Sequence, residues 1–332
     1  MDVMVSLPLQ SFIRDLRQGS KASIRDCVQG LEELGYWGIN VVDHILQSTT
    51  DAPEHHVEPD WNWRFPEFAS TMGYLAAITD HMKIGIRVLV VPYRNPIPTA
   101  HAFATVDSLS GGRAIVGVGP GYDAEEFRRL AVPRNKRGKL TDEYLDVMKA
   151  LWAADGPIDF DGDTIKFEGA ELQVGPVQRP GPPVWIGGNS PIALKRAIRV
   201  GDAWTPAIYG YGWPSTDGAK ADGVDLHRDN IPAMLEQARI ERAEAGLGPL
   251  ECIPDSGVPW KITDKPAHPG RKPEDIQMFS AIGTPDEILQ EFQLFHQAGC
   301  SKFVIRLAGT DSEDFLRQAK VFAEEIMPFI DK

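Results

Sequence analysis

The most constraining feature of this sequence is the alternation of short apolar runs with helix-forming segments, which repeats eight times along 332 residues. The runs are typical of buried strands, and the intervening segments carry apolar residues at helical spacing. Strands that alternate with helices form a parallel sheet, and eight such units close it into a barrel. We therefore predict an α/β fold, a (β/α)8 TIM barrel that forms a single domain over residues 1–332. The predicted strands are residues 3–7, 38–42, 84–91, 113–118, 184–186, 203–205, 276–281 and 302–307.

Two segments interrupt the alternation and are predicted insertions at the C-terminal mouth of the barrel. An Asp161-Gly162 turn between β-prone runs predicts a hairpin at about residues 155–180. Residues 206–275 are rich in Gly, Pro and Asp, with one good helix at about 231–245, and are typical of a lid or binding loop. A further loop, residues 45–65, is rich in Pro, His and Trp.

Composition and charge restrict the class of protein. Apolar residues make up 42% of the chain, which is enough for a large core, and the net charge of −13 argues against a nucleic-acid partner. No apolar run is long enough to span a bilayer, and the N-terminal residues do not resemble a secretory signal. The three cysteines are far apart and form no C-x-x-C pair. We expect a cytoplasmic protein that binds neither nucleic acid nor a membrane.

The stretch SGGRAIVGVGPGYDAEEF, residues 110–127, combines a buried strand with a glycine-rich turn. Glycine recurs at positions 117, 119 and 121, which would let a flat group lie directly against the backbone. Asp123 and Glu126 have the spacing of a capping box, so a helix begins there. The stretch predicts a ligand platform, and the alternative is a tight strand-to-helix turn with no binding role.

The active site of such a barrel lies at the C-terminal ends of its strands. That rule selects Asp43 with His44, Arg87–Pro92, Gly119–Tyr122, Gly187–Asn189, Trp204 with Thr205, and the region of Arg306. His44 directly follows a predicted strand, and an imidazole can transfer protons near neutral pH. The alternative is a loop histidine that only makes hydrogen bonds. We predict no metal site, because His55 and His56 share one loop with few carboxylates placed nearby.

The segment GGNSP, residues 187–191, leads into a predicted helix N-terminus, which is a ready anion site. A pair of glycines could equally end a strand. The sequence contains no G-x-x-x-x-G-K-[ST] motif, which excludes a nucleotide triphosphatase of the P-loop type, and it does not match G-x-G-x-x-G.

Several blocks of the chain, in the correct order, resemble the bacterial luciferase-like monooxygenase superfamily. They are LEELGYWGINVVDH, GIRVLVVPYRNP, SLSGGRAIVGVGPGYDAEEF, DEYLDVMKALW, PVWIGGNSPIALKRAIRVGDAWTP and GTPDEIL. The resemblance implies a (β/α)8 barrel that holds a flavin or the deazaflavin coenzyme F420 at its C-terminal mouth, and it implies a homodimer. The pattern around residues 60–130 is most similar to the F420-dependent branch.

The resemblance also implies roles for individual residues. Asp43 and His44 match the acid–base pair at the end of the second strand, and Tyr122 is a further catalytic candidate. Arg87-Val88 matches a non-proline cis peptide that supports the cofactor ring. The ring and side chain would lie along Gly119, Pro120, Gly121 and Tyr122, and the phosphate would meet Gly187 and Gly188, with Asn189 and Thr205 close by.

Two positions depart from the F420-dependent sugar-phosphate dehydrogenases that the chain resembles. Those enzymes have a tryptophan where Ser48 stands and a glutamate where Tyr122 stands. We therefore expect a substrate other than a sugar phosphate. The prediction is an oxidoreductase that transfers a hydride between F420 and a small organic molecule, with His44 as acid or base. The alternatives are a monooxygenase that uses reduced FMN and a flavin- or deazaflavin-binding protein without turnover.

Overall fold

Strands and helices alternate along the chain in the computed structural model, which describes residues 1–8, 24–46, 65–208, 228–276, 280, 282–309 and 311–332. The strands are β1 (Asp2–Ser6), β2 (Gly38–Val41), β3 (Lys83–Val90), β4 (Ala114–Gly119), β5 (Ile158–Asp161), β6 (Lys166–Ala170), β7 (Val184–Gly187), β8 (Ala203–Thr205), β9 (Glu251–Cys252), β10 (Asp255–Ile262), β11 (Ile282–Gly283) and β12 (Lys302–Leu307). The helices are α1 (Ile24–Glu33), α2 (Phe68–Ile78), α3 (Pro96–Ser110), α4 (Ala124–Arg129), α5 (Arg137–Ala153), α6 (Pro191–Val200), α7 (Ile231–Glu244), α8 (Pro285–Gln297) and α9 (Ser312–Glu325). None of these helices is long and apolar enough to cross a bilayer.

Local sequence signals begin and end several of these helices. Thr284 and Glu287 form the predicted capping box of α8, since each side chain accepts a hydrogen bond from the other residue's backbone N–H, and Pro285 takes the first helical position. Asn95 caps α3 by accepting from the backbone N–H of Ile97. At the other end of α3, Gly111 has a φ of 69°, the left-handed conformation that ends helices.

The chain divides into two compact units, one formed by Met1–Asn40 with Trp185–Lys332 and the other by Val41–Val184. The single domain over residues 1–332 remains a prediction.

The first unit contains a parallel arrangement of strands. β7 pairs with β8 and β8 with β9, while β10 pairs with β12, β12 with β1 and β1 with β2. β11 adds a short parallel pairing to the end of β10. Phe303 of β12 packs edge-on against Phe292 of α8, with ring centroids 4.7 Å apart, so α8 covers one face of this sheet.

The position between β8 and β12 is taken by residues 251–262, which comprise β9 and β10. Ala203 lies opposite Glu251, and Asp255 lies opposite Val304. The sequence predicts loops in this region and a seventh strand over 276–281, whereas the observed pairing gives the position between β8 and β12 to residues 251–262. Pro254, Gly257 and Pro259 are turn signals that concealed the strand, which accommodates them because its register shifts between Asp255 and Pro259. Most of 276–281 lies outside the described residues.

The second unit contains the parallel pair β3 and β4 with α2, α3 and α5. Phe103 of α3 lies 5.2 Å from Phe68 and 6.3 Å from Trp152, measured between ring centroids, and all three rings are buried. The indole N–H of Trp152 donates to the carbonyl of Ala100 over 2.9 Å. β5 and β6 form an antiparallel hairpin within the segment where the sequence analysis expects one.

One extra residue bulges out of β3 where it pairs with β4. Ile86 lies opposite Val116 and Leu89 lies opposite Val118, so three steps on β3 match two steps on β4. The Arg87–Val88 peptide within this bulge is cis, which confirms the prediction from the resemblance.

Gly117 faces this bulge at close range. A Cβ atom at position 117 would lie 2.3 Å from the carbonyl oxygen of Ile86, a backbone atom that cannot move aside without breaking the pairing. The absence of a side chain here is required by the approach of two strands.

We expect Gly117→Ala to lower the free energy of unfolding by about 2–4 kcal/mol, because the added methyl group overlaps backbone. Gly156→Ala is the matched control, since a Cβ there has no heavy atom within 4 Å, and it should stay within about 0.5 kcal/mol of wild type. Urea denaturation followed by circular dichroism measures both. Equal stability of the two variants would show that β3 can move away from a methyl group at position 117 without lowering the free energy of unfolding.

Candidate active site

His44, which follows β2, is held by a buried carboxylate on α4. Its Nδ1 atom lies 3.0 Å from Oε2 of Glu126, and the Glu126 side chain is fully buried whereas that of His44 is 24% exposed. The ring of His44 also lies 5.4 Å from that of Phe65, between centroids. Nε2 of His44 lies 3.5 Å from the Tyr122 hydroxyl, and Tyr122 is exposed. One edge of the imidazole is therefore fixed by a buried carboxylate, and the other edge meets an exposed hydroxyl.

Four groups surround the Glu126 carboxylate. Besides His44, the backbone N–H groups of Ile45 and Leu46 donate to Oε1, and Tyr93 lies close to the same side chain. Burial opposes ionisation of Glu126, but the hydrogen bonds from His44, Leu46 and Ile45 outweigh it and lower the pKa of the carboxyl below its ordinary value. Burial and the nearby Glu126 charge raise the pKa of Tyr93.

This arrangement assigns the proton on His44. A carboxylate only accepts hydrogen bonds, so Nδ1 carries a proton and donates it to Glu126. When the ring is neutral, its lone pair is on Nε2, on the side of Tyr122, where an imidazole can accept a proton and return it. The geometry is that of an oriented general base.

Asp43 is engaged elsewhere. Both of its carboxylate oxygens accept from the Arg94 guanidinium over 2.7 Å, and Oδ2 also accepts from the backbone N–H of Val90 over 3.0 Å. The side chain is buried, and Arg94 lies over the Phe68 ring. The resemblance implied an acid–base pair of Asp43 and His44, whereas the structure pairs His44 with Glu126. The contacts of Asp43 are those of an anchor between β3 and the start of α3.

Glu126 is the residue that the sequence analysis missed, because it was interpreted as half of a capping box. Asp123 does cap α4, since its side chain accepts from the backbone N–H groups of Glu125 and Glu126. The Glu126 side chain, however, points to His44 and the loop after β2. Both Glu126 and Phe127 are buried, and no local sequence pattern distinguishes this role of Glu126 from that of a capping residue.

The glycines after β4 serve the packing of the protein itself. A Cβ at Gly119 would lie 3.0 Å from Cγ2 of Val88, and one at Gly121, where φ is +79°, would lie 2.5 Å from Cγ1 of Val90. The absence of side chains at 117, 119 and 121 is explained by contacts with β3 and α4. Contact of a cofactor with Gly119, Pro120, Gly121 and Tyr122 remains a prediction.

The predicted anion site lies in the first unit, at the ends of β7 and β8. Ser190 caps α6 by accepting from the backbone N–H of Ala193, and Gly188 has a φ of +116°. The carbonyl of Gly188 accepts from the Trp204 indole. Asn189 uses its side-chain amide on the backbone of Ala207, in both directions. Main-chain groups and the end of α6 are therefore the parts of this segment that could meet an anion.

Thr205 ends β8 and is fully buried opposite Gly187 in the strand register. Ser48, His55, His56, Trp61 and Trp63 lie outside the described residues. Within the part of the chain that the structure describes, no group of three His, Cys, Asp or Glu side chains could hold a metal ion.

Comparison with known proteins identifies the family of the chain. The sequence model described as luciferase-like monooxygenase matches residues 1–212, more than half of the chain. The chain belongs to the luciferase-like monooxygenase family. The resemblance of the motif blocks is confirmed.

Two curated members of this family illustrate its range. The F420-dependent glucose-6-phosphate dehydrogenase of Nocardia farcinica (strain IFM 10152) is 31% identical over 351 residues, which cover 95% of this chain and 98% of that enzyme. The FMNH2-dependent dimethylsulfone monooxygenase of Pseudomonas putida is 32% identical over 162 residues, or 48% of this chain and 41% of that enzyme. The second alignment thus spans less than half of its relative.

Two solved structures match the chain over nearly its whole length. An F420-dependent secondary alcohol dehydrogenase in complex with an F420–acetone adduct has a TM-score of 0.74 at 18% identity, covering 100% of this chain and 99% of that one. The coenzyme F420 dependent tetrahydromethanopterin reductase of Methanopyrus kandleri has a TM-score of 0.72 at 18% identity, covering 99% of both chains. These likenesses show the fold, and the predicted (β/α)8 class is confirmed.

The lowered pKa of Glu126 predicts a specific loss of stability in acid. Because its folded-state pKa lies below the ordinary 4.5, ionised Glu126 stabilises the fold above that pH, and the contribution is lost as the pH falls through the folded-state pKa. We expect Glu126→Gln to be less stable than wild type at neutral pH and to lose less stability between about pH 6 and about pH 3. Urea denaturation at several pH values measures both slopes.

Glu168→Gln, an exposed substitution on β6, is the control and should follow the wild-type curve. If the free energy of unfolding of wild type and of Glu126→Gln changed with pH in parallel, ionised Glu126 would contribute no stability through its hydrogen bonds.

Proposed function

We propose that this protein is an oxidoreductase that transfers a hydride between coenzyme F420 and a small organic substrate, with His44 accepting or returning the accompanying proton at Nε2. The observation that carries the proposal is the pairing of His44 with Glu126 over 3.0 Å, which directs Nε2 away from Glu126 and toward the exposed Tyr122 hydroxyl, 3.5 Å away. Support comes from full-length relatives and structural neighbours that are F420-dependent dehydrogenases and reductases. When bound, the deazaflavin supplies the hydride chemistry, and the protein supplies orientation and electrostatics.

The residues proposed to hold the cofactor fit an anionic group with a flat ring system. Arg87, Val88 and Gly119–Tyr122 would contact the ring and side chain at the ends of β3 and β4. Gly187 and Gly188 would receive the phosphate, because the N-terminus of α6 favours negative charge there. Asn189 and Thr205 complete the proposed set, Asn189 by holding the backbone of Ala207 in place.

A monooxygenase that uses reduced FMN is the second candidate. It is favoured by the likeness to the dimethylsulfone monooxygenase, although that alignment covers only 48% of the chain. Reduced flavin reacts readily with O2 and the deazaflavin does not. Fluorescence titration of the protein with F420 and with FMN, followed by measurement of oxygen uptake with the reduced cofactor, separates the two candidates. Tighter binding of F420 without oxygen uptake is expected.

The remaining features of the proposal are a small-molecule substrate, a cytoplasmic location and a homodimer. A sugar phosphate is disfavoured as the substrate, because Tyr122 stands where the sugar-phosphate dehydrogenases that the chain resembles have a glutamate. A panel of alcohols, aldehydes and ketones, assayed by the change in visible absorbance that accompanies deazaflavin reduction or oxidation, would identify a working substrate.

The catalytic part of the proposal predicts a large loss of turnover in His44 variants. General acid–base catalysis by one residue is worth about 10²–10⁴ in rate, so His44→Ala should lower kcat by that order. His44→Gln keeps hydrogen bonding without titration and should recover little of the loss. Cofactor affinity should change much less in both variants. Steady-state kinetics with the substrate from the panel, together with fluorescence titration, measures the two quantities.

His101→Gln is the control, because His101 lies within α3 and has no proposed role. Near wild-type turnover in both His44 variants would leave His44 as a packing or positioning residue and favour Tyr122. A protein that binds cofactor with no turnover on any substrate would support the non-catalytic alternative.

The proposed phosphate site predicts that a negative charge introduced at position 192 weakens cofactor binding. Ile192 is exposed in the first turn of α6. Substitution at Gly188 itself is a poor probe, because its φ of +116° strains any other residue. An aspartate at 192 is tolerated by the helix N-terminus but repels a nearby phosphate. We expect Ile192→Asp to weaken cofactor binding about five- to tenfold at low ionic strength, and less in high salt.

Ile192→Asn, of the same size and without the charge, should bind the cofactor nearly as wild type does. Equal losses in the two variants, or a loss insensitive to salt, would place the phosphate elsewhere. Fluorescence titration of wild type and of both variants with the cofactor at two salt concentrations measures the dissociation constants.

A further inference from the structure

Arg306 lies near the C-terminal end of β12, and the register of the strand shows which way it faces. Phe303 contacts Phe292 of α8, so residues 303, 305 and 307 share the face that α8 covers. Arg306 belongs to the opposite face together with Val304. In a (β/α)8 barrel that face lines the interior, and its C-terminal end is where substrates bind.

The neighbouring strand confirms this orientation independently. Trp260 of β10 pairs with Leu307, and its ring lies 5.1 Å from that of Phe292, on the α8 side. Asp255 of β10 pairs with Val304 and therefore shares the face of Arg306. A carboxylate and a guanidinium thus stand together on the interior face, within the first unit.

The contact between these two groups is incomplete. Nη2 of Arg306 lies 3.5 Å from Oδ2 of Asp255, and among the described residues Nε of Arg306 is buried with no partner. By comparison, Arg94 meets Asp43 with two nitrogens at 2.7 Å each. The Arg306 side chain is 27% exposed, whereas that of Asp255 is 2% exposed. The buried Asp255 carboxylate thus orients the Arg306 guanidinium through Nη2, and other N–H donors of Arg306 are available to a ligand.

Polar groups continue along this face onto β1 and β2. Val5 pairs with Ile305, and continuing that register brings Ser6 opposite Arg306. Ser6 in turn pairs with Asn40, whose amide donates to its hydroxyl over 3.2 Å. Serine and asparagine can hydrogen-bond a polar ligand group without adding charge.

We propose that Arg306 is a substrate-recognition residue that binds a carboxylate on the organic substrate, with Asp255 as its positioning residue. A guanidinium presents parallel N–H donors that match the two oxygens of a carboxylate. The negative charge of Asp255 repels a dianionic phosphate at this place more strongly than a monoanionic carboxylate, which favours the carboxylate. This inference rests on the proposed function in one respect, the expectation that the substrate binds at the C-terminal ends of the strands.

The alternative is an ion pair that serves the fold alone. Such a pair is typically complete, as that of Arg94 with Asp43 is, because an unsatisfied buried donor costs free energy. The single 3.5 Å contact of Arg306 and its Nε, which has no partner among the described residues, are the features that this alternative leaves unexplained.

The test is calorimetric titration of the full-length protein with sodium benzoate and with inorganic phosphate at matched ionic strength, with and without bound cofactor. We expect benzoate to bind more tightly than phosphate. Arg306→Gln should weaken benzoate binding about tenfold or more, and Arg306→Lys should fall between the two, because it keeps the charge without the paired donors. Arg317→Gln, on the exposed surface of α9, is the control and should stay within about twofold of wild type.

Three outcomes would overturn the proposal. They are a wild-type protein that does not bind benzoate, equal benzoate affinity in wild type and both Arg306 variants, and a loss of cofactor affinity in Arg306→Gln as large as the loss for benzoate. The last would assign Arg306 to the cofactor. Circular dichroism confirms folding of each variant, and Arg306→Lys provides the comparison if Arg306→Gln unfolds. Benzoate binding requires no turnover, so failure of the proposed hydride transfer would be seen separately.

Discussion

The ionised carboxylate of Glu126 is the interaction on which the candidate site depends. A buried charge is costly unless hydrogen bonds replace its hydration. Glu126 meets that requirement with a side chain 82 positions earlier, His44, and with the backbone N–H groups of Ile45 and Leu46. The same contacts fix the loop after β2, the tautomer of His44 and the orientation of α4. One carboxylate therefore sets both the local fold and the direction in which the imidazole presents Nε2.

The backbone near this carboxylate is shaped by close approach of two strands. β3 carries an extra residue between Ile86 and Leu89, and the facing strand accommodates it with Gly117, where any Cβ would meet the Ile86 carbonyl. Gly119 and Gly121 face Val88 and Val90 in the same way. Side-chain-free backbone in a glycine-rich turn is consistent with ligand contact, but here the neighbouring strand already accounts for it. The case for a cofactor at these positions therefore depends on the family and on His44 rather than on the glycines.

Much of the architecture follows from local signals that tertiary structure did not override. Strand periodicity and helix caps predicted most elements, including the capping box of Thr284 and Glu287. Two features of the structure, one a strand segment and one the role of a side chain, could not be predicted, for physical reasons. Residues 251–262 carry Pro and Gly that suit a bulged strand as well as a loop, and only the pairing with β8 and β12 distinguishes them. The role of Glu126 escaped because a helix N-terminus and a buried histidine partner both favour glutamate, and no local pattern separates the two.

Three ionic pairs of this protein, Asp43 with Arg94, Glu126 with His44 and Asp255 with Arg306, differ in how completely their members are hydrogen-bonded. Asp43 and Arg94 use both oxygens and two nitrogens, so neither has much capacity left for a ligand. The pairs of Glu126 with His44 and of Asp255 with Arg306 each use one nitrogen of the partner. Exposure does not separate the three pairs, because the side chains of Arg94, His44 and Arg306 are 22%, 24% and 27% exposed and each carboxylate is buried. A buried carboxylate that orients a partly exposed partner fixes the direction of a hydrogen bond before a ligand arrives, and this lowers the entropy cost of binding the ligand. The two pairs with unused donors or acceptors are therefore the ones to which we assign the proposed proton transfer and substrate binding.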